Sequence, residues 1–478
     1  MQNFEIILVL LLGAALLSLA AGRLKVPYPV FLALLGAAIA VIPGIPVFSL
    51  SSELILALLV APVLLDAAHD ISFRDLRRNK LPILSLVVVA VGLTCIAVTF
   101  IAKAFFPDMP WAAAIALGAL LAPTDAVAAI AVMRQIELPH RIKVILEGES
   151  LFNDASSLLI YGLAVQTLVT GSFHVADALT AFLLVAVGSV CAGWILAKVI
   201  VRLLQQIQDP ATSTVLQFVT IFGVWVLAEH LHLSGVITVV CYGLTAARAP
   251  SSSMSARVRI ISFAIWETVT FVLNILAFVL VGLQLRDILP LIRPEWVGIA
   301  FISLTAVILV RVLWVFLYHF LYVRGLIRPA PGVSLGRDDL KEGIVVGWSG
   351  MRGIVTLAAA LALPDRFPYR NFILLVAFVV VLGTLLLQGL TLRLLLRLLN
   401  LPYDDQSEAE TKLARAYVFG IMRTDAPSIS DSKSMTPDKN ILLARETLDD
   451  LRKSEKIGDG VYRKIEQEID WLDLSNRK

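Results

Sequence analysis

Apolar runs of about 20 residues, each ended by charges, proline or glycine, recur along most of the chain, and that length suits a helix crossing ~30 Å of hydrocarbon. The pattern predicts an all-α membrane protein with thirteen spanning helices, at residues 4–22, 27–43, 53–69, 81–106, 111–133, 142–169, 174–201, 211–230, 232–248, 258–285, 295–323, 341–363 and 369–399. The run from Ile6 to Ala21 lacks a basic leader and is followed by Arg23 and Lys25, so it reads as a retained first span. From Leu401 the chain turns polar, which separates a transmembrane domain of residues 1–400 from a tail of residues 401–478. In the tail Leu443, Leu448, Leu451, Ile457, Val461, Ile465 and Ile469 recur at helical intervals around Gly458-Asp459-Gly460. That spacing predicts a helical hairpin over about 437–472, serving as a small docking or contact element.

Charge then orients the spans. Of the 25 Lys and Arg residues before Arg393, 18 lie in or beside every second loop, starting with the loop of Arg23 and Lys25. Only Lys103, Arg286, Arg293, Arg366 and Arg370 flank the other loops, so the positive-inside rule places the N-terminus outside and the tail in the cytoplasm. The expected location is the cell inner membrane. Arg311 and Arg352 fall inside spans and require a reason to be there. Composition agrees: 58% hydrophobic and 16% charged residues exclude an ordinary soluble domain. The small net charge of +3 is sorted by side of the membrane and leaves no stripe for nucleic acid. Cys95, Cys191 and Cys241 all lie in apolar stretches without metal-type spacing and read as packing.

Two spans carry built-in breaks. Span five has Pro123-Thr124-Asp125 at its middle, where proline removes a backbone donor and crowds the preceding turn. Span twelve has Gly347, Ser349, Gly350 and Gly353 around Arg352. They are the second members of the triplets four to six and eleven to thirteen, seven spans apart, an offset that inverts topology. The prediction is two inverted repeats of six spans, with discontinuous spans five and twelve crossing near the midplane, where secondary transporters bind cargo. Residues 81–169 and 295–399 would form the core, 4–69 and 211–285 a scaffold carrying a dimer contact, and 174–201 the connector.

Ionisable residues within the bilayer are candidate sites. Span six opens with Glu147-Gly148-Glu149-Ser150-Leu151-Phe152-Asn153-Asp154. At ~1.5 Å per residue, Asp154 lies roughly 18 Å in from Ile142. Asp125 and Arg352 reach similar depths. Ser150 and Asp154 are four apart, as are Glu149 and Asn153, so each pair shares a helix face and the two faces adjoin. A carboxylate, the hydroxyls of Thr124 and Ser150, Asn153 and freed carbonyls make an all-oxygen set suited to a small hard cation. Glu267 and Arg311, on consecutive antiparallel spans at about 14 and 19 Å from their inner ends, read as a structural pair. Asp66 either lines an inner funnel or is a solvated helix end. His69 and His140 flank inner loops, and neither is nominated as a pH sensor.

Pro123-Thr124-Asp125, Glu149 to Asp154, the segment from Glu267 to Leu285 and Arg352-Gly353-Ile354-Val355-Thr356-Leu357-Ala358 together closely resemble the sodium/proton antiporters of the NhaP and animal sodium/hydrogen exchanger family, across the whole membrane part. The resemblance implies a dimer and an Asn-Asp pair typical of electroneutral, one-for-one exchange of sodium or lithium for a proton. It implies that Asp154 binds cation or proton, helped by Thr124, Ser150 and Asp125, and that Glu149 and Arg352 form a buried ion pair. No enzyme activity and no cofactor are expected. The competing readings are potassium/proton exchange or sodium-coupled organic-anion symport on the same architecture, an intramembrane aspartyl protease using Asp125 and Asp154, and a channel.

Overall fold

The computed structural model describes residues 12, 13, 16, 23, 27–42, 56–133, 139–170, 175–249, 254–326, 339–401, 406–424 and 437–476, so the predicted first span lies almost wholly outside the described residues. Every regular element among the described residues is helical. The membrane part comprises α1 (Tyr28–Ala40), α2 (Ala61–Asp70, entered through a π turn at Leu56–Val60), the short α3 (Phe73–Arg78) and α4 (Lys80–Phe105). There follow α5 (Trp111–Leu121), α6 (Ala126–Met133), α7 (His140–Thr170), α8 (Val175–Leu204), α9 (Pro210–His230), α10 (Gly235–Ala246) and α11 (Ala256–Leu283). Beyond these lie α12 (Pro294–Val323), α13 (Asp339–Trp348), α14 (Ile354–Leu361) and α15 (Arg370–Leu399).

Seven helical runs among the described residues are long and apolar enough to cross a bilayer, namely α4, α5 with α6, residues 182–204 of α8, α9, α11 continued to Ile288, α12 and α15. The 31-residue α7 is long enough but carries Arg141, Lys143, Glu147, Glu149 and Asp154, more charge than an apolar span holds. Spans five and twelve are each two helices, α5/α6 and α13/α14, separated by residues 122–125 and 349–353. Helix boundaries follow local chemistry. Asp209, Ser234 and Ser255 cap α9, α10 and α11 by accepting from backbone N–H groups three residues on, and Asn400 ends α15 in the left-handed conformation that asparagine tolerates.

Lipid is as apolar as leucine, so helices in a bilayer associate through close shape matching and not through burial from water. The approach of α1 to α11 shows it, because a Cβ at Gly36 or Gly282 would overlap the facing backbone. Around α5, α7, α12 and α15 one large apolar cluster surrounds both breaks, and a second joins α2, α9 and α10 beside Leu151 of α7. The tail contains three helices, α16 (Gln406–Thr424), α17 (Pro437–Lys453) and α18 (Asp459–Asn476). The first of these extends the predicted hairpin to a bundle, and Ala414 and Val418 bring it into a core shared with Leu448, Ile465 and Ile469.

Candidate functional site

The two breaks meet. The N–H of Asp125 donates to the carbonyl of Met351 at 2.7 Å, so the interruption forced by Pro123 supplies a donor to the interruption permitted by the glycines. Asp125 Oδ1 then accepts from the N–H of Val127 at 2.8 Å, capping α6, whose N-terminal dipole end favours negative charge. The rest of that carboxylate lies against Gly353, where any Cβ would overlap it.

Beside the breaks runs one face of α7. Ser150 Oγ accepts from the N–H of Ala126 at 3.2 Å. Thr124 Oγ1 donates to Glu149 Oε1 at 3.1 Å and accepts from Asn153 Nδ2 at 2.8 Å. With its proton committed to Glu149, the threonine hydroxyl can offer the surroundings only lone pairs, the polarity that a cation requires. Asp154 is 7% exposed, and among the described residues its carboxylate accepts no hydrogen bond. Asp154, Asp125, Thr124 and Ser150 line one cavity of roughly 980 Å³, which continues past Asp66 and Glu267 to the tail helices. Asn153 is fully buried and does not line it; among the described residues its Oδ1 has no hydrogen-bond partner.

The ion pairing corrects two expectations. Glu149 does not pair with Arg352. Its carboxylate is held by both terminal nitrogens of Arg311, one at 2.7 Å, in a two-pronged bridge buried on both sides. Arg311 also donates to the carbonyl of Val346 from Nε and Nη2, and its stem occupies the space left by the missing side chain of Gly350. It is therefore not available to Glu267, which is exposed on the cavity. Arg352, 1% exposed, donates to the carbonyls of Leu121 and Gly350, and its N–H donates to Thr384 Oγ1 at 3.0 Å. Its charge thus sits at the C-terminal end of α5, where unpaired carbonyls collect negative potential. The reason for the exchange of partners is lateral placement. Depth along a helix puts Arg311 and Arg352 on one level, whereas the packing of α12 against α4 and α13 turns Arg311 toward α7.

Glu147, Lys143 and Asp70 also line the cavity and were not singled out by motif. The signal for Glu147 was present, since residues 147, 150 and 154 follow the i, i+3, i+7 spacing of one helix face. Among the described residues no cluster of His, Cys, Asp and Glu has the make-up of a metal centre.

The family model described as "Sodium/hydrogen exchanger, transmembrane" matches residues 7–398. The chain belongs to the sodium/hydrogen exchanger family. Among curated relatives it is 32% identical to the Na(+)/H(+) antiporter ApNhaP of Aphanothece halophytica, over 84% of this chain and 76% of that one. It is also 32% identical to the sodium, potassium, lithium and rubidium/H(+) antiporter of Bacillus pumilus, over 77% of this chain but only 58% of that longer protein. The solved sodium proton antiporter MjNhaP1 of Methanocaldococcus jannaschii shares the fold, with a TM-score of 0.63 at 19% identity, covering 84% of this chain and all of that one. For a sodium/hydrogen exchanger family member, the juxtaposition of two broken helices and an acid-bearing α7 gives the family sequence motifs a physical location.

Proposed function

We propose that this protein is an electroneutral antiporter that exchanges one sodium or lithium ion for one proton across the cell inner membrane, with Asp154 carrying each ion in turn. The observation that carries the reading is the state of that side chain: buried, facing the cavity, and without a hydrogen bond among the described residues, while Asp125, Thr124, Ser150 and Asn153 are all engaged. An ionised carboxylate removed from water and from donors requires a compensating positive charge. A proton or a bare cation supplies it equally well by charge, and the two cannot occupy the group together. Thr124 and Ser150 complete the cation's oxygen shell, and Asp125 adds negative potential nearby. Since Asn153 is neutral, the loaded carrier has the same charge with either ion, so each cation moved is balanced by one proton. The N-terminus lies outside, the tail in the cytoplasm, and the scaffold helices 4–69 and 211–285 form the contact of a homodimer.

Proteoliposomes holding the purified protein test this directly. Asp154→Asn should abolish cation-driven proton movement in both directions while the protein remains folded. Wild-type exchange should follow a bell-shaped pH profile whose acid limb moves to lower pH as sodium rises, with each pH unit below the apparent pKa weakening cation affinity about tenfold. An acid limb fixed against sodium, or a rate that follows the membrane voltage, would show separate sites for the two ions. A potassium/proton exchanger is the second reading, favoured by the Bacillus relatives named for four alkali cations; potassium gradients as effective as sodium would select it. An aspartyl protease would need Asp125 and Asp154 free to share a proton, whereas one oxygen of Asp125 is spent on capping α6.

A further inference from the structure

Between Phe372 and Leu392 the polar side chains of α15 are Thr384, Gln388 and Thr391, spaced i, i+4, i+7 so that they share one face. That face is turned to the second break. Thr384 Oγ1 accepts from the N–H of Arg352 at 3.0 Å, and Thr391 Oγ1 accepts from the indole N–H of Trp348 at 2.9 Å. Gln388 stands between the two threonines, level with the residues that separate Trp348 from Arg352. A Cβ at the adjacent Gly389 would lie 3.9 Å from Met351 Sδ, which places Met351 against the same turn of α15. Gln388 itself is fully buried, and among the described residues neither its Nε2 nor its Oε1 has a hydrogen-bond partner.

We propose that the amide of Gln388 binds ordered water against the second break, and that Gln388 is thereby a positioning residue for Asp125. Burial without a partner penalises both the donor and the acceptor of an amide, and lipid has nothing to offer either. The break supplies the other side of the site. The N–H of Ser349 still donates to Val345 and that of Arg352 to Thr384, but among the described residues the N–H groups of Gly350 and Met351 make no hydrogen bond. Freed peptide groups facing both ends of a side-chain amide call for a ligand that donates and accepts at once, which water does and an ion of either sign does not. The consequence reaches the ion site. In a continuous helix the carbonyl of Met351 would accept from the N–H of Val355, four residues on. Here it accepts from the N–H of Asp125 at 2.7 Å. Water held by Gln388 satisfies the freed groups where they stand, so the break stays open and the Met351 carbonyl stays with Asp125. The effect on exchange rests on the antiporter reading above; the water site does not.

The test uses the full-length protein. X-ray radiolysis in ¹⁸O water labels side chains that touch bound water even when bulk solvent does not reach them. Met351 is 0% exposed, so wild type should label there and Gln388→Leu should lose most of that label. Leucine stays near the volume of glutamine without the amide, whereas Gln388→Asn keeps the amide on a shorter stem that water can span. In proteoliposomes the sodium KM should rise about tenfold or more in Gln388→Leu, the usual loss when a support behind a ligand shell is removed, and clearly less in Gln388→Asn. The melting temperature should fall in Gln388→Leu, because a dry, unpaired amide would make leucine the more stable residue. An unlabelled Met351 in wild type, a label that Gln388→Leu leaves unchanged, a leucine variant that outperforms asparagine, or one that melts higher than wild type overturns the proposal. Should Gln388→Leu fail to fold, the label in wild type and its retention in Gln388→Asn decide alone. If wild type exchanges nothing while the Met351 label still follows Gln388, the antiporter reading fails and the water site stands.

Discussion

The two broken helices occupy corresponding places in the chain and do opposite work. The break at residues 122–125 turns its side chains to the cavity, where Thr124 and Asp125 present oxygens. The break at 349–353 turns its charge away: Arg352 is buried against the carbonyls of Leu121 and Gly350, and the only part of that break on the cavity is Gly353. Each break receives the charge that the neighbouring helix end calls for, an acid at the N-terminus of α6 and a guanidinium at the C-terminus of α5. Proline forces the first opening; the second depends on missing side chains, which make room for Asp125 and for the stem of Arg311. Two breaks of similar build thus need not carry equivalent chemistry, and the asymmetry is what leaves one acid-rich face beside Asp154.

The largest effect should come from the bridge that ties α7 to this arrangement. Glu149→Ala or Arg311→Ala strands a buried charge, at a cost of roughly 3–5 kcal/mol, and the double replacement should recover much of it. Thermal unfolding in detergent measures the cycle. Glu149→Ala with Arg352→Ala should show the weaker coupling; a stronger coupling there than with Arg311 would reverse the assignment of partners.

A smaller effect separates the glycines of the second break. Gly353→Ala drives a methyl into the Asp125 carboxylate and should cost about 1–3 kcal/mol and much of the exchange activity. At Gly347 the nearest atom to an added Cβ is Val315 at 3.6 Å, an ordinary contact within α13. Gly347→Ala should be neutral or stabilise by about 0.5–1 kcal/mol through the helix preference of alanine. Equal losses at both positions would mean that flexibility, and not space beside Asp125, is what the glycines provide.

The smallest effect is at the entrance of α7, outside the bilayer. His140 Nε2 lies 3.0 Å from Asp75 Oδ2, and that hydrogen bond raises the imidazole above its usual value despite burial. Burial pushes the Asp75 carboxyl up, but the bonds from His140 and Arg74 outweigh it and hold the group below the usual range. The histidine's contribution to stability is therefore complete below its unfolded pKa of 6.5 and fades as pH rises through the raised folded value. The aspartate's is present above its unfolded value of 3.8 and is lost as pH falls through the lowered one. With the imidazole 40% exposed, solvent screening limits the change to about 1 kcal/mol or less. The stability gap between wild type and His140→Ala should narrow from pH 6 to pH 9; a gap that widens would place the benefit on neutral histidine.

What the sequence determined by itself is what short stretches of chain decide. Hydropathy marks the long helices, Pro123 and the glycines around Arg352 mark the breaks because their effects on backbone geometry are local, and the spacing of Glu149 to Asp154 along one helix sets which of them share a face. The tail hairpin was legible from its apolar spacing, whereas α16 offers the same core the shorter set Ala414, Val418 and the partly buried Phe419. Tertiary structure alone decided that Glu149 meets Arg311 and not Arg352, that Glu267 stays without that partner, and that the tail lies across the cavity. The physical reason is that in lipid every apolar face is equally content, so the choice of neighbour passes to shape at positions such as Gly36, Gly282 and Gly350, whose effect depends on the helix that arrives opposite.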